Sequence, residues 1–312
     1  MTGEVDYINP ETYEITRKTM DVPIPHTDGC GMMVEGTTTM VRLPWIKGLM
    51  VKFDFRKFAT EHVAYYVSDI YGVQHNILTE DIKYIFTKSQ FKMHKYYDSW
   101  EQYKEYYKEY NCTAGKTNEE EKYIPDAKIN YQMLQSLTDI KEKEMIKLAS
   151  KSVNDICSVG YDFRTTMKLL GATEQNINPN SMQKALMIYP ELMSDPYNKQ
   201  ILKDVKKSLV KQSKAGKLMI DGKYTFIAPD LYAFCQYLFL GEEKVTGLLE
   251  NGEVSCNLYP DKKDLDCLRS PHLYREHAVR KNKNNEVTKK WFDTKCIYTS
   301  CNDLISKLLQ FD

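Results

Sequence analysis

Between Asn130 and Val210 the apolar residues fall at helical spacing, and strand-like stretches lie on both sides of that block. Met133, Leu134, Leu137 and Ile140, followed by Met145, Ile146 and Leu148, share one face of a 3.6-residue period. Further helices are expected over Ser181–Met187 and Gln200–Val210. Strands first, helices second and strands again exclude a regularly alternating parallel fold, so the class is α+β.

The first flank reads as extended from Met20 to Pro25, because each proline steers the residue before it away from helix. A glycine-containing loop follows at Asp28–Gly31. Thr37–Val41 is β-branched, Leu49–Phe55 alternates as a half-buried strand does, and Ile82–Phe86 is a third candidate. Cys112–Glu121 reads as an exposed loop after the Tyr-rich Trp100–Tyr110. Beyond the helical block, Asp221-Gly222 between apolar arms predicts a hairpin over Lys217–Ile227. Leu231–Leu240 is apolar enough for a buried helix, Gly247–Cys256 and Asp266–Leu268 are strand-like, and Asp303–Leu309 predicts a short helix capped by Asn302 or Asp303. The expected organisation is a β-barrel region over 1–100, a mainly helical insertion over 101–215 and a β-rich return over 216–312.

Lysine plus arginine and aspartate plus glutamate both number 43, so no global field advertises a polyanion or a membrane. Charge is local instead. Lys203–Lys217 is strongly basic with Asp204 as its one acid, Arg280–Lys290 is basic, and Glu119–Glu121 is acidic. Each is read as a solvated face, with a track for a nucleic-acid backbone as the sharper alternative. Eight cysteines without a regular framework, and no secretory signal, point to a reducing cytoplasm. No apolar run nears the roughly 20 residues a membrane helix needs.

Two apparent motifs fail. Ala114-Gly115-Lys116-Thr117 suggests a phosphate loop, but such a loop needs glycine where Tyr110 stands and a buried strand before it. Cys256, Cys267, His272 and His277, with Cys296 and Cys301, lack the close Cys-x-x-Cys pairing of a zinc site.

Five short segments occur in one order: Asp28-Gly29-Cys30-Gly31; Arg42 followed five residues later by Lys47-Gly48; Ser89-Gln90-Phe91-Lys92; Gly247 to Val254; and Leu268-Arg269-Ser270-Pro271-His272-Leu273. Together they resemble the RNA-dependent RNA polymerases of eukaryotic RNA silencing and their single-chain relatives in bacteriophages and mobile elements. The resemblance runs from about residue 20 to the C-terminus, with little from the helical middle. It implies a double-psi β-barrel with a helical insertion and the start of a second, truncated barrel. It also implies nucleotidyl transfer on nucleoside triphosphates, templated by DNA or RNA, in the cytoplasm of a bacterial host.

By position, Lys47 and Lys92 match the family's catalytic lysines, compact charges suited to phosphate. Arg42 and Arg269 match its arginines, whose planar fork can brace phosphate. Asp28, Gly29, Gly31 and Gly48 match turn and backbone positions. The family holds Mg²⁺ on an Asp-x-Asp-Gly-Asp cluster, since that ion prefers oxygen ligands. Asp312 stands where the first of those ligands would be. The expectation is therefore a polymerase fragment, inactive alone, whose missing half could be a separate chain. Residues 291–312 would then be loosely held. The alternatives are a non-catalytic nucleic-acid-binding or accessory protein of a phage or mobile element, or a helical interaction protein.

Overall fold

A computed structural model of the chain describes residues 2–22, 26–269 and 277–310. In chain order the elements begin with β1 (Thr2–Ile8), β2 (Ile15–Asp21), β3 (Cys30–Met33), β4 (Thr39–Leu43), β5 (Ile46–Lys52) and α1 (Phe55–Glu61). Next come β6 (Tyr66–Ser68), β7 (Gln74–Asn76), β8 (Tyr84–Ile85), α2 (Trp100–Glu109) and β9 (Gly115–Glu119). The helical block holds α3 (Tyr131–Ser136), α4 (Glu142–Ser158), α5 (Phe163–Leu170), α6 (Ser181–Ile188) and α7 (Pro196–Lys214). The return contains β10 (Ile227–Pro229), α8 (Leu231–Leu240), β11 (Glu253–Cys256), β12 (Asp264–Cys267), β13 (Ala278–Asn282), α9 (Glu286–Trp291), β14 (Ile297–Thr299) and α10 (Leu304–Gln310). The architecture is mixed α+β.

Described residues up to Glu120, Thr225–Arg269 and those from His277 onward form one compact unit; Glu121–Tyr224 form a second. The first unit holds two five-stranded sheets, ordered β8-β3-β5-β4-β9 and β10-β14-β11-β13-β12. Both are mixed. β3 runs parallel to β5, and β10–β14 and β11–β13 are parallel, while the other pairs are antiparallel. Among the described residues neither sheet closes on itself. The two share one core, in which Met32, Val51, Phe53 and Phe58 meet Leu231, Cys235, Trp291 and Tyr298. Phe53 stacks on Trp291 at 5.8 Å, and Phe58 meets Tyr232 edge-on at 5.0 Å.

The second unit packs helices around Met167, Leu170, Ala172 and Leu186. The residues that flank it in sequence, Glu120 and Thr225, belong to the first unit and both bond there to Lys295. The Lys295 N–H donates to Glu120 Oε2 at 2.9 Å, and Thr225 Oγ1 donates to the Lys295 carbonyl at 2.7 Å. No helix among the described residues is long and apolar enough to cross a membrane.

Several expectations need correction. The stretch after Leu49 does not alternate: Leu49, Met50 and Val51 are all buried, because β5 is central, flanked by β3 and β4. Cys112–Glu121 is not a loop. Gly115–Glu119 forms an exposed edge strand whose polar side chains gave no periodic signal, and its pairing with β4 is made by backbone. Asp221-Gly222 turns no hairpin. The arm before it pairs instead with a distant segment, through a Lys128–Met219 bridge and bonds from the N–H groups of Ala127 to Gly222 and of Ile129 to Leu218. Nor are the described residues from 291 to 307 loosely held, since Trp291, Phe292, Cys296, Tyr298, Ser300, Asp303 and Ser306 are buried; Phe311 and Asp312 lie outside the described residues. Asp303 caps α10 as expected, through the N–H of Ile305 and the hydroxyl of Ser306.

Candidate functional site

Pro44 and Trp45 form a two-residue turn joining β4 to β5, with Leu43 opposite Ile46 and Arg42 opposite Lys47. Proline supplies the first turn residue, and Trp45 takes a positive φ of 63° at the second. The turn is propped from below by α2. Tyr103 Oη donates to the Pro44 carbonyl at 2.8 Å, and Tyr103 packs with Ile46 and Phe91.

The Ser89–Lys92 segment pairs antiparallel with the start of β5. Ile46 bridges Phe91, the Lys47 N–H donates to the Gln90 carbonyl at 3.2 Å, and the Lys92 N–H donates to the Trp45 carbonyl at 3.0 Å. Successive side chains alternate across such a pairing. Ile46 and Phe91 face the core, so Lys47 and Lys92 share the opposite, solvent-exposed face.

The Asp28–Gly31 segment closes the third side. Gly29 N–H donates to Ser89 Oγ at 2.9 Å, and its carbonyl accepts from the Leu49 N–H at 2.9 Å. At the junction sits Gln90, fully buried. Its Oε1 accepts from the Thr87 N–H at 2.9 Å, and its Nε2 donates to the carbonyls of Leu49 at 3.1 Å and Gly29 at 3.4 Å. Gly31 and Gly48 exist to admit this amide. A Cβ on Gly31 would stand 2.6 Å from Gln90 Oε1 and 2.5 Å from the Ile85 carbonyl. One on Gly48 would stand 2.7 Å from Gln90 Nε2 and strike the Gly29 carbonyl.

These segments wall a cleft of about 530 Å³. Asp28, Arg42, Lys47, Ser89, Lys92 and Arg269 line it, with Thr117 and Asn118 of β9 and Phe226 and Ile227 from the return segment. Four cations and one carboxylate meet there, within a chain of zero formal net charge. Among the described residues no carboxylate pairs with Arg42, Lys47 or Lys92. Like charges directly opposite in a ladder are destabilising, as Arg42 and Lys47 are, so the arrangement suits an anion that is not part of the chain.

The remaining sequence candidates fall elsewhere. The Gly247–Val254 segment does not reach the cleft but is tied to Asp230, whose Oδ2 accepts from the N–H groups of Leu248 at 2.7 Å and Leu249 at 3.1 Å. Asp230 also caps α8 through the Ala233 N–H at 3.0 Å. Burial pushes its carboxyl up, and these backbone bonds pull it back. Ser270, Pro271, His272, Leu273 and Asp312 lie outside the described residues. His277 Nδ1 pairs with Asp266 at 2.8 Å. Lys116 and Thr117 stand on an exposed edge strand, not at a helix N-terminus.

Sequence reasoning missed Gln90 and Asp230. Asp230 was findable, because an aspartate immediately before an apolar helical run is a capping signal. Gln90 carried no such mark. Mg²⁺ needs several oxygen ligands, and among the described residues no group of three His, Cys, Asp or Glu could hold a metal ion. The cleft, with Asp28 as its one carboxylate, does not fit that ion.

No family model matches the chain. Over 312 residues it is 55% identical to a protein named DNA-directed RNA polymerase YonO, of Bacillus phage SPbeta. The match takes in 99% of this chain and 37% of that protein, so the chain spans little more than a third of its relative's length.

Proposed function

We propose that this chain is the phosphate-gripping part of a DNA-templated RNA polymerase and that its cationic cleft receives the phosphates of a nucleoside triphosphate or of the RNA end. One observation carries the reading: Arg42, Lys47, Lys92 and Arg269, from segments far apart in sequence, line a single cleft. The likeness to a phage protein named as a DNA-directed RNA polymerase supports the reading of the chemistry and of the template. Mixed sheets with parallel pairs β3–β5, β10–β14 and β11–β13 support reading the architecture as crossed-strand, double-psi barrels.

In this reading Lys47 and Lys92 bind as point charges, and the backbone bonds of Gln90 hold the two segments at fixed separation. Arg42 and Arg269 offer planar forks to further phosphate oxygens. Positioning of this kind is the larger part of phosphoryl-transfer catalysis. With a single carboxylate in the cleft, the described residues contribute grip and orientation.

Calorimetric titration of the 312-residue chain with ATP and with tripolyphosphate, without divalent ions, tests this. A charge-assisted hydrogen bond contributes about 1.5–3 kcal/mol, so Lys47→Ala and Lys92→Ala should each weaken binding about 10- to 100-fold. Equal affinity in the parent and both variants would rule the assignment out.

A further inference from the structure

Helix α7 carries Lys199, Lys203, Lys206, Lys207, Lys211 and Lys214 against one acid, Asp204. Lys199, Lys203, Lys207 and Lys211 recur every four residues and are exposed. At 100° per residue they occupy an arc of about 120°, and at 1.5 Å per residue they span about 18 Å. The opposite face is fixed, since Ile201, Leu202 and Val205 pack on the Met167 and Leu186 core.

Lys52, Lys83, Lys104, Lys116, Lys151, Lys223, Lys283 and Lys290 each reach a carboxylate. Among the described residues the row of Lys199, Lys203, Lys207 and Lys211 has no carboxylate partner, as Lys47, Lys92, Lys143 and Lys147 also have none; what sets it apart is its regular spacing along one helix face. Neighbouring α4 balances three acids with three lysines. Like charges four residues apart destabilise a helix, and α7 repeats that pairing three times. A local rule broken repeatedly along one rigid face marks a surface selected for something other than stability.

We infer that this α7 face is a second anion surface, seated along the phosphate backbone of a nucleic-acid duplex. The inference rests on the reading of the chain as part of a polymerase but not on the cleft. A duplex carries one phosphate per about 1.7 Å of axis with both strands counted, so a length of about 18 Å holds about ten, and four lysines can each displace a counterion without reading bases.

Fluorescence anisotropy of the full chain with a labelled 20-base-pair DNA duplex, across a salt series, tests it. The variant K199Q/K203Q/K207Q/K211Q retains helix-forming residues, and circular dichroism checks that it folds. Its log affinity against log salt should flatten by about 3–4, with affinity down at least tenfold at low salt. A control, K83Q/K104Q/K143Q/K147Q, should change the slope by less than one. Tripolyphosphate binding should survive the α7 changes and fall in K47A/K92A, which separates this surface from the cleft. An unchanged slope in the α7 variant, or an equal change in the control, overturns the inference, as does a parent chain that fails to bind the duplex.

Discussion

Arg42 and Lys47 stand directly opposite one another across the β4–β5 ladder, and no carboxylate among the described residues comes between them. A pair of this kind opposes folding by about 0.2–1 kcal/mol. Arg42→Gln should therefore raise the stability of the free chain by that order, read from urea unfolding. The same change should weaken triphosphate binding about tenfold. A variant that binds as well as the parent would show that the repulsion serves no ligand.

Asp28 is the one carboxylate in the cleft lining. Neutralising it as Asp28→Asn removes a repulsion toward phosphate that, in solvent-exposed surroundings, amounts to a few tenths of a kcal/mol to about 1 kcal/mol. Tripolyphosphate should bind about 2- to 5-fold more tightly, with the gain shrinking in high salt. Weaker binding in calorimetry would place Asp28 as a partner of one of the cations instead.

Gly48→Ala puts a methyl group against the Gln90 amide and the Gly29 carbonyl, at a φ of 152° that L residues rarely adopt. Overpacking of this kind costs about 1–3 kcal/mol. Gln90→Ala makes room but leaves the Thr87 N–H and the Leu49 carbonyl without a partner, at about 1–3 kcal/mol. Each single change should lower the urea midpoint. The double variant should cost less than the sum, because the contact with the amide disappears while the collision with the Gly29 carbonyl remains. Strict additivity would contradict the contact.

Asp230→Ala strands the N–H groups of Ala233, Leu248 and Leu249 in the core. At about 1–3 kcal/mol for each unmet donor, the loss is comparable with the whole stability of an ordinary domain. The variant should accumulate as insoluble protein at 37 °C, and Asp230→Asn, which keeps one acceptor oxygen, should be intermediate. Parent-like solubility and melting for both would remove the anchoring role.

Acid should destabilise the chain in two steps. Burial, with the charge of Lys307 adding to it, lowers the His26 pKa from 6.5 to about 4. The unfolded chain therefore binds a proton that the folded chain refuses between those values. Stability is complete above about pH 6.5 and declines as pH falls toward 4. His26 Nε2 accepts from the Asp230 N–H at 3.2 Å, an interaction that protonation removes. Hydrogen bonds from Lys151 and Lys223 lower Asp126 from 3.8 to about 2, so its contribution is complete above about pH 4 and is lost toward pH 2. His75, raised by its bonds to Glu80 and Asp69, runs the other way and loses its contribution as pH rises through its folded value. Urea midpoints for His26→Gln should be flatter between pH 6.5 and 4.5 than for the parent. Parallel curves would count against the assignment.

Elements whose signal is local were legible. Leu231–Leu240 is helical to the residue, Asp303 caps the last helix, and Ser181–Met187 and Gln200–Val210 lie in helices, whereas the face read from Met133 to Leu148 is broken between Ser136 and Glu142 and its Ile146 is exposed. Partnerships between distant segments were not. The strand at Gly115–Glu119 exists because β4 has a free edge, and the arm before Gly222 chose residues 127–129 over its neighbour. The cationic lining was half legible. Arg42, Lys47, Lys92 and Arg269 could be named from the ordered segments, but their convergence depends on the Ile46–Phe91 bridge and the Gln90 amide, which no spacing encodes.

Glu120 and Thr225 both bond to the backbone of Lys295, so the places where the chain leaves and rejoins the two-sheet unit lie side by side. Excising residues 121–224 and splicing the ends with a short Gly-Ser linker therefore opens no gap for the linker to span. Every strand of both five-stranded sheets lies outside residues 121–224, so such an excision takes no strand from the unit whose residues line the basic cleft.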